Sequence, residues 1–120
     1  MDNPDRYLLT CRNNYFAEIR PSDNNSNDNP GYKALIEIAQ SYFNKGKLKE
    51  FSDFFMEGQY YIELWTAHLI LEFGKPDIKL SEACIDIIEK YSSNTIDPKV
   101  ATQEKKWLDN YKSNKRKNTL

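Results

Sequence analysis

One histidine, two cysteines and 18 carboxylates are the main groups this chain offers for metal or acid–base chemistry. His68 has no second histidine with which to share a metal. Any Ser-His-Asp or Cys-His relay would have to run through it. It stands between Ala67 and Leu69 in an apolar segment, so it reads as a histidine packed among helices. Cys11 and Cys84 each fall on the apolar stripe of a predicted helix. Without a Cys-x-x-Cys spacing they support neither zinc nor dithiol redox chemistry, and they read as buried free thiols.

The carboxylates carry no clearer signal. Asp53 and Glu57 share a helix face at i, i+4. Glu82, Asp86 and Glu89 share another, flanked by Lys79 and Lys90. Acid–base catalysis needs a pocket that separates two pKa values, whereas these alternating charges read as solvated helix surface. Glu63 and Glu72 flank apolar residues and read as salt-bridged or rim positions. The four glycines form neither G-x-G-x-x-G nor G-x-x-x-x-G-K-[ST]. Segment 22–29 holds Asp23 and Asp28 but lacks the glycine and terminal glutamate of a calcium loop. No cofactor, no metal and no catalytic residue is expected.

The apolar residues must therefore be read as scaffold. Leu80, Ala83, Cys84, Ile87, Ile88 and Tyr91 repeat the i, i+3, i+4, i+7 spacing of an amphipathic helix. Val100, Glu104, Trp107, Leu108 and Tyr111 repeat it with one polar gap. Six helices are predicted: about 5–19, 31–44, 47–57, 59–73, 78–91 and 97–112. Leu8, Cys11, Tyr15 and Ile19 line the first, with Phe16 beside them. Asn29-Pro30 and Asp97-Pro98 supply a capping residue followed by proline at two helix starts. Gly74 and Pro76 end the fourth helix, which is apolar on two sides and should be the most buried. Segment 21–30, built only of Pro, Ser, Asp and Asn, reads as an exposed flexible loop. Short connections make neighbours antiparallel, so helices three to six should stack as HEAT-like helical hairpins. The expected fold is all-α, a single domain of five to six helices over residues 1–120.

Charge is unevenly placed. Residues 1–111 hold 13 basic residues and all 18 acidic ones, a balance of −5, while four basic residues fall in 112–120, a tail expected to fray. An acidic body disfavours nucleic acid and suits a basic protein partner. No apolar run approaches the ~18 residues that span a bilayer. The acidic, polar start is unlike a secretory signal, so a cytoplasmic location without membrane contact is expected.

The corner 58–61, Gly-Gln-Tyr-Tyr, sets two tyrosines side by side. On a helix they would point about 100° apart, so at least one should be exposed. Tyrosine combines contact area with a polar tip and is enriched at interfaces. With the neighbouring carboxylates it forms the expected partner-binding set: Asp53, Glu57, Tyr60, Tyr61, Glu63 and Glu72.

Ala67-His68-Leu69, Gly74-Lys75-Pro76 and Trp107-Leu108 with Tyr111 resemble a family of short bacterial helical proteins of HEAT-like architecture. That family includes immunity proteins of contact-dependent and polymorphic toxin systems. The likeness covers about half the chain, in core and turn positions, and leaves the part before Pro30 unplaced. It implies a non-enzymatic protein that binds and neutralises a cognate basic toxin, such as a nuclease, with an acidic helical face and without a small-molecule substrate. The competing expectation is a HEAT-like nucleic-acid binder or scaffold using the basic tail.

Overall fold

The start of the second helix shows how this sequence dictates its local structure. Asn29 is extended and its side chain accepts a hydrogen bond from the Gly31 amide, with Pro30 as the first helical residue. This is the expected cap-plus-proline start. The computed structural model describes residues 4–94 and 96–118. All of their regular structure is helical, in the order α1 (Pro4–Phe16), α2 (Pro30–Asn44), α3 (Leu48–Ser52), α4 (Ile62–Leu69), α5 (Ile78–Ser92) and α6 (Pro98–Asn118). Short 3₁₀ turns occupy Asn24–Ser26 and Asp53–Met56, and a π turn, Ile70–Gly74, extends α4. The radius of gyration is 13.8 Å, against about 14 Å for a compact chain of this length.

As expected, α4 is central: Ile62, Leu64 and every residue from Trp65 to Ile70 are buried. Against it, Tyr7, Tyr42, Phe51 and Phe54 form an aromatic cluster with ring centroids 4.5 to 6.1 Å apart. This cluster joins α1, α2 and α3. On the other side α5 packs against both α4 and α6. Lys90, near the end of α5, reaches Glu63 at the start of α4, which fixes those two helices as antiparallel.

Several boundaries differ from the sequence reading. The buried stripe of α1 is Tyr7, Cys11 and Asn14, while Phe16 is exposed. The Thr66 hydroxyl gives its proton to the Ile62 carbonyl (2.8 Å), so the Tyr7 hydroxyl donates to Thr66 (2.9 Å). That buried bond selects Tyr7 over Leu8. Asn14 is buried because its amide donates to the Gly31 carbonyl at 3.1 Å, and a Cβ on Gly31 would come within 2.2 Å of the Asn14 Oδ1. Segment 21–30 is not uniformly exposed, for Pro21 and Ser26 are buried. The fourth helix begins at Ile62 rather than 59. Its end is marked by left-handed Lys75 (φ 49°), not by Gly74. Pro76 bars residue 75 from right-handed helix, and Gly74 instead permits the approach of Leu48. The last helix continues to Asn118, through most of the 112–120 tail expected to fray, and residues 119–120 lie outside the described residues.

Candidate partner-binding surface

Tyr60 and Tyr61 are not helical. Both are left-handed, with φ of 54° and 58°. Non-glycine residues reach this region at a cost of roughly 1–2 kcal/mol each, so two in succession need compensating contacts. Tyr61 has them: its hydroxyl donates to Asp97 at 2.7 Å and its ring packs on Tyr15 and Tyr91, with the Arg20 guanidinium 4.9 Å from its centroid. Burial and the bond to Asp97 push the Tyr61 hydroxyl up to about 12. The same bond holds Asp97 below the usual aspartate range.

Tyr60 faces outward in part. Its ring lies 5.4 Å from Tyr15 and 5.8 Å from Phe16, and the Arg12 guanidinium sits 5.9 Å from both the Phe16 and Tyr60 rings. Phe16 is 67% exposed and Met56 88%. Phe54 touches Tyr7 and Tyr60 touches Phe16, so the segment 54–60 runs alongside α1 from its first turn to its last. The outcome is an exposed ledge of Leu9, Arg12, Phe16 and Tyr60 bordered by Met56. Aromatic residues, Met and Arg are the types enriched at protein interfaces.

The six residues singled out in the sequence do not form one patch. Asp53 and Glu57 are exposed, Glu57 within the segment 54–60 and Asp53 just before it. Tyr60 belongs to the ledge, and Tyr61 anchors it from within. Glu63 faces the α5 side, where it accepts from Lys90 Nζ (2.6 Å) and the Tyr91 hydroxyl (2.8 Å). Glu72 lies in the π turn, about 13 Å further along the axis at the helical rise. Although much of Glu72 is exposed, its carboxyl is partly desolvated and held above the usual range, against the opposing pull of His68. The tyrosine corner thus carries two arginines that sequence spacing did not bring to it. Arg12 and Phe16 at i, i+4 on α1 were the available signal.

A second polar constellation lies inside the fold. His68 is 4% exposed and Glu104 fully buried. The Nε2 of His68 meets Glu104 Oε1 at 2.6 Å and Ser22 Oγ at 3.2 Å, with the Trp107 ring edge-on at 4.5 Å. In a Ser-His-acid relay the hydroxyl and the carboxylate occupy opposite ring nitrogens. Here both occupy one nitrogen, so no proton can pass through the ring from one to the other. A polar groove of about 360 Å³ opens nearby, walled by Ser22, Gln103 and Trp107 but not by His68 or Glu104. The trio is built to tie the 21–30 segment, α4 and α6 together.

Cys11 and Cys84 are buried free thiols, as expected, and burial pushes both up to about 12. Among the described residues no group of three or more His, Cys, Asp or Glu could hold a metal ion, and no helix is long and apolar enough to cross a membrane. Comparison with protein families, with characterised proteins and with solved structures finds no match.

Proposed function

We propose that this chain is a non-enzymatic protein-binding domain of the immunity type, one that acts in the cytoplasm by covering a cognate toxin. The observation that carries this reading is the ledge at Tyr60. It exposes Phe16 beside a tyrosine held in a left-handed conformation, with Arg12 over both rings, and Met56 is exposed on the adjoining segment. Exposed apolar area of this kind marks sites where another surface docks, and backbone strain concentrates at ligand clamps. The acidic balance of residues 1–111 supports a basic partner, whose approach it would accelerate. The likeness of the core and turn motifs to small helical immunity proteins supports the same assignment.

The test is protection. A toxin domain encoded beside this chain is expressed with and without it, and growth is followed. The reading requires that the wild-type chain restore growth and that Phe16→Ser/Tyr60→Ser, folded by circular dichroism, fail to do so. Equal protection by both chains would remove the ledge from the mechanism.

A further inference from the structure

Beside α5 lies a groove of about 320 Å³ whose floor includes Ile78, Ile85 and Tyr111. Ile78 is 79% exposed at the first turn of α5, an unusual place to leave a large aliphatic side chain. Ile78, Glu82, Ile85 and Asp86 follow one another at helical spacing along this wall, so apolar anchors and carboxylates alternate on a single face. Both carboxylates are exposed. Among the described residues Lys112 is the basic residue in the opposite wall; it is engaged 3.5 Å from Glu89, which leaves Glu82 and Asp86 in excess there.

The neighbouring groove on the other side of α5 has the opposite character. It is larger, about 530 Å³, and carries Lys49 and Lys79 with Asp77 around Leu48, Phe55 and Leu80. Asp77 is already committed there, capping α5 through the Leu80 amide at 2.8 Å. A cationic segment is therefore favoured in the first groove over the second.

We infer that the Ile78–Asp86 face of α5 is a docking site for a basic amphipathic helix of the protein partner, an inference that rests on reading the chain as a protein-binding domain. Apolar side chains of that helix fill the space between Ile78, Ile85 and Tyr111. Its lysines or arginines meet Glu82 and Asp86. This is helix-in-groove recognition with charge fixing the register. It also gives the acidic body a specific contact distinct from the aromatic ledge on α1.

The experiment uses the full chain and a synthetic amphipathic peptide with leucines at i, i+3, i+4 spacing and lysines between them. Binding is followed by isothermal titration and by amide chemical shifts. The expected result is saturable binding that weakens with salt, with the largest shifts in residues 78–86. Glu82→Lys/Asp86→Lys should weaken it at least about tenfold, and Glu82→Gln/Asp86→Gln by less. Glu37→Lys/Glu50→Lys makes the same change in net charge on exposed residues elsewhere and should leave affinity within about twofold. Equal losses in the two lysine variants, or shifts spread over the whole surface, would overturn the groove and leave only bulk attraction. No binding by the wild-type chain would overturn it outright. The peptide needs no cognate partner, so its binding reports on α5 alone, whereas failure of Phe16→Ser/Tyr60→Ser to lose protection reports on the ledge.

Discussion

His68 of α4 and Glu104 of α6 meet at 2.6 Å in the interior, 36 residues apart in sequence and both withdrawn from water. His68 Nδ1 and Glu104 Oε2 are buried and make no hydrogen bond among the described residues. Such a pair fixes which helix faces meet, yet it adds little net stability over an apolar contact. Removing one partner is therefore worse than replacing both. Glu104→Ala opens a cavity and costs the buried His68 a hydrogen-bond partner, so it should cost about 2–5 kcal/mol by urea unfolding, whereas His68→Leu/Glu104→Met should recover most of that loss. A double variant as unstable as the single one would show that the pair contributes more than register.

Two helices end in the same motif with different residues. α1 closes with Glu18 left-handed (φ 60°) and the Ile19 amide bonded to the Asn14 carbonyl at 2.9 Å. α2 closes with Gly46 (φ 73°) and the Lys47 amide on the Tyr42 carbonyl at 2.9 Å. Glycine suits that position and other residues are strained in it. Glu18→Gly should stabilise the fold by up to about 1 kcal/mol and Gly46→Ala should destabilise it by about as much. Thermal midpoints moving the other way would contradict the shared geometry.

The two thiols should report on unfolding alone. With both held near 12 by burial, native Cys11 and Cys84 present almost no thiolate at pH 8 and have no solvent access. Reaction with a thiol-specific reagent should follow the unfolding rate and release two thiols per chain in denaturant. Fast labelling of either thiol in the folded protein would show an opening near α1 or α5.

Asp97 joins the tyrosine corner to the start of α6, accepting from Tyr61 and from the Val100 amide at 3.3 Å. Its pKa is lower folded than unfolded, chiefly through the Tyr61 bond. Its stabilising contribution is therefore complete above the unfolded value of about 3.9 and is lost as pH falls through the lower folded value. Asp97→Asn keeps a carbonyl acceptor but not the charge. Wild type should exceed it in stability at neutral pH, and the gap should close below about pH 4. A gap that is flat with pH would mean that the carboxylate's charge plays no part.

The helical class and most helix positions were legible because period and punctuation agree. Leu80 to Tyr91 repeats at helical spacing, and Asn29-Pro30 caps a helix start as written. What the sequence hid is tertiary. Glu104 appears as a polar gap in an apolar stripe, and nothing local says that His68 fills it. Tyr7 is fully buried while Leu8 packs at the edge of the core, and nothing local says that Thr66 lies opposite Tyr7. Tyr60 and Tyr61 look helical by position, but the chain turns there on tyrosines held by Tyr15, Arg20 and Asp97. Arg12 and Arg20 come to the same corner from α1 and the segment after it, so the expected acidic, aromatic corner also carries two cations.

The most direct test of the central claim compares two tagged chains, wild type and Phe16→Ser/Tyr60→Ser, in affinity capture from the producing cells, read by quantitative mass spectrometry. The protein-binding account predicts one basic protein recovered in stoichiometric amount with the wild type and at least about tenfold less with the variant. Equal recovery with both chains, or stoichiometric recovery of no protein at all, would contradict it.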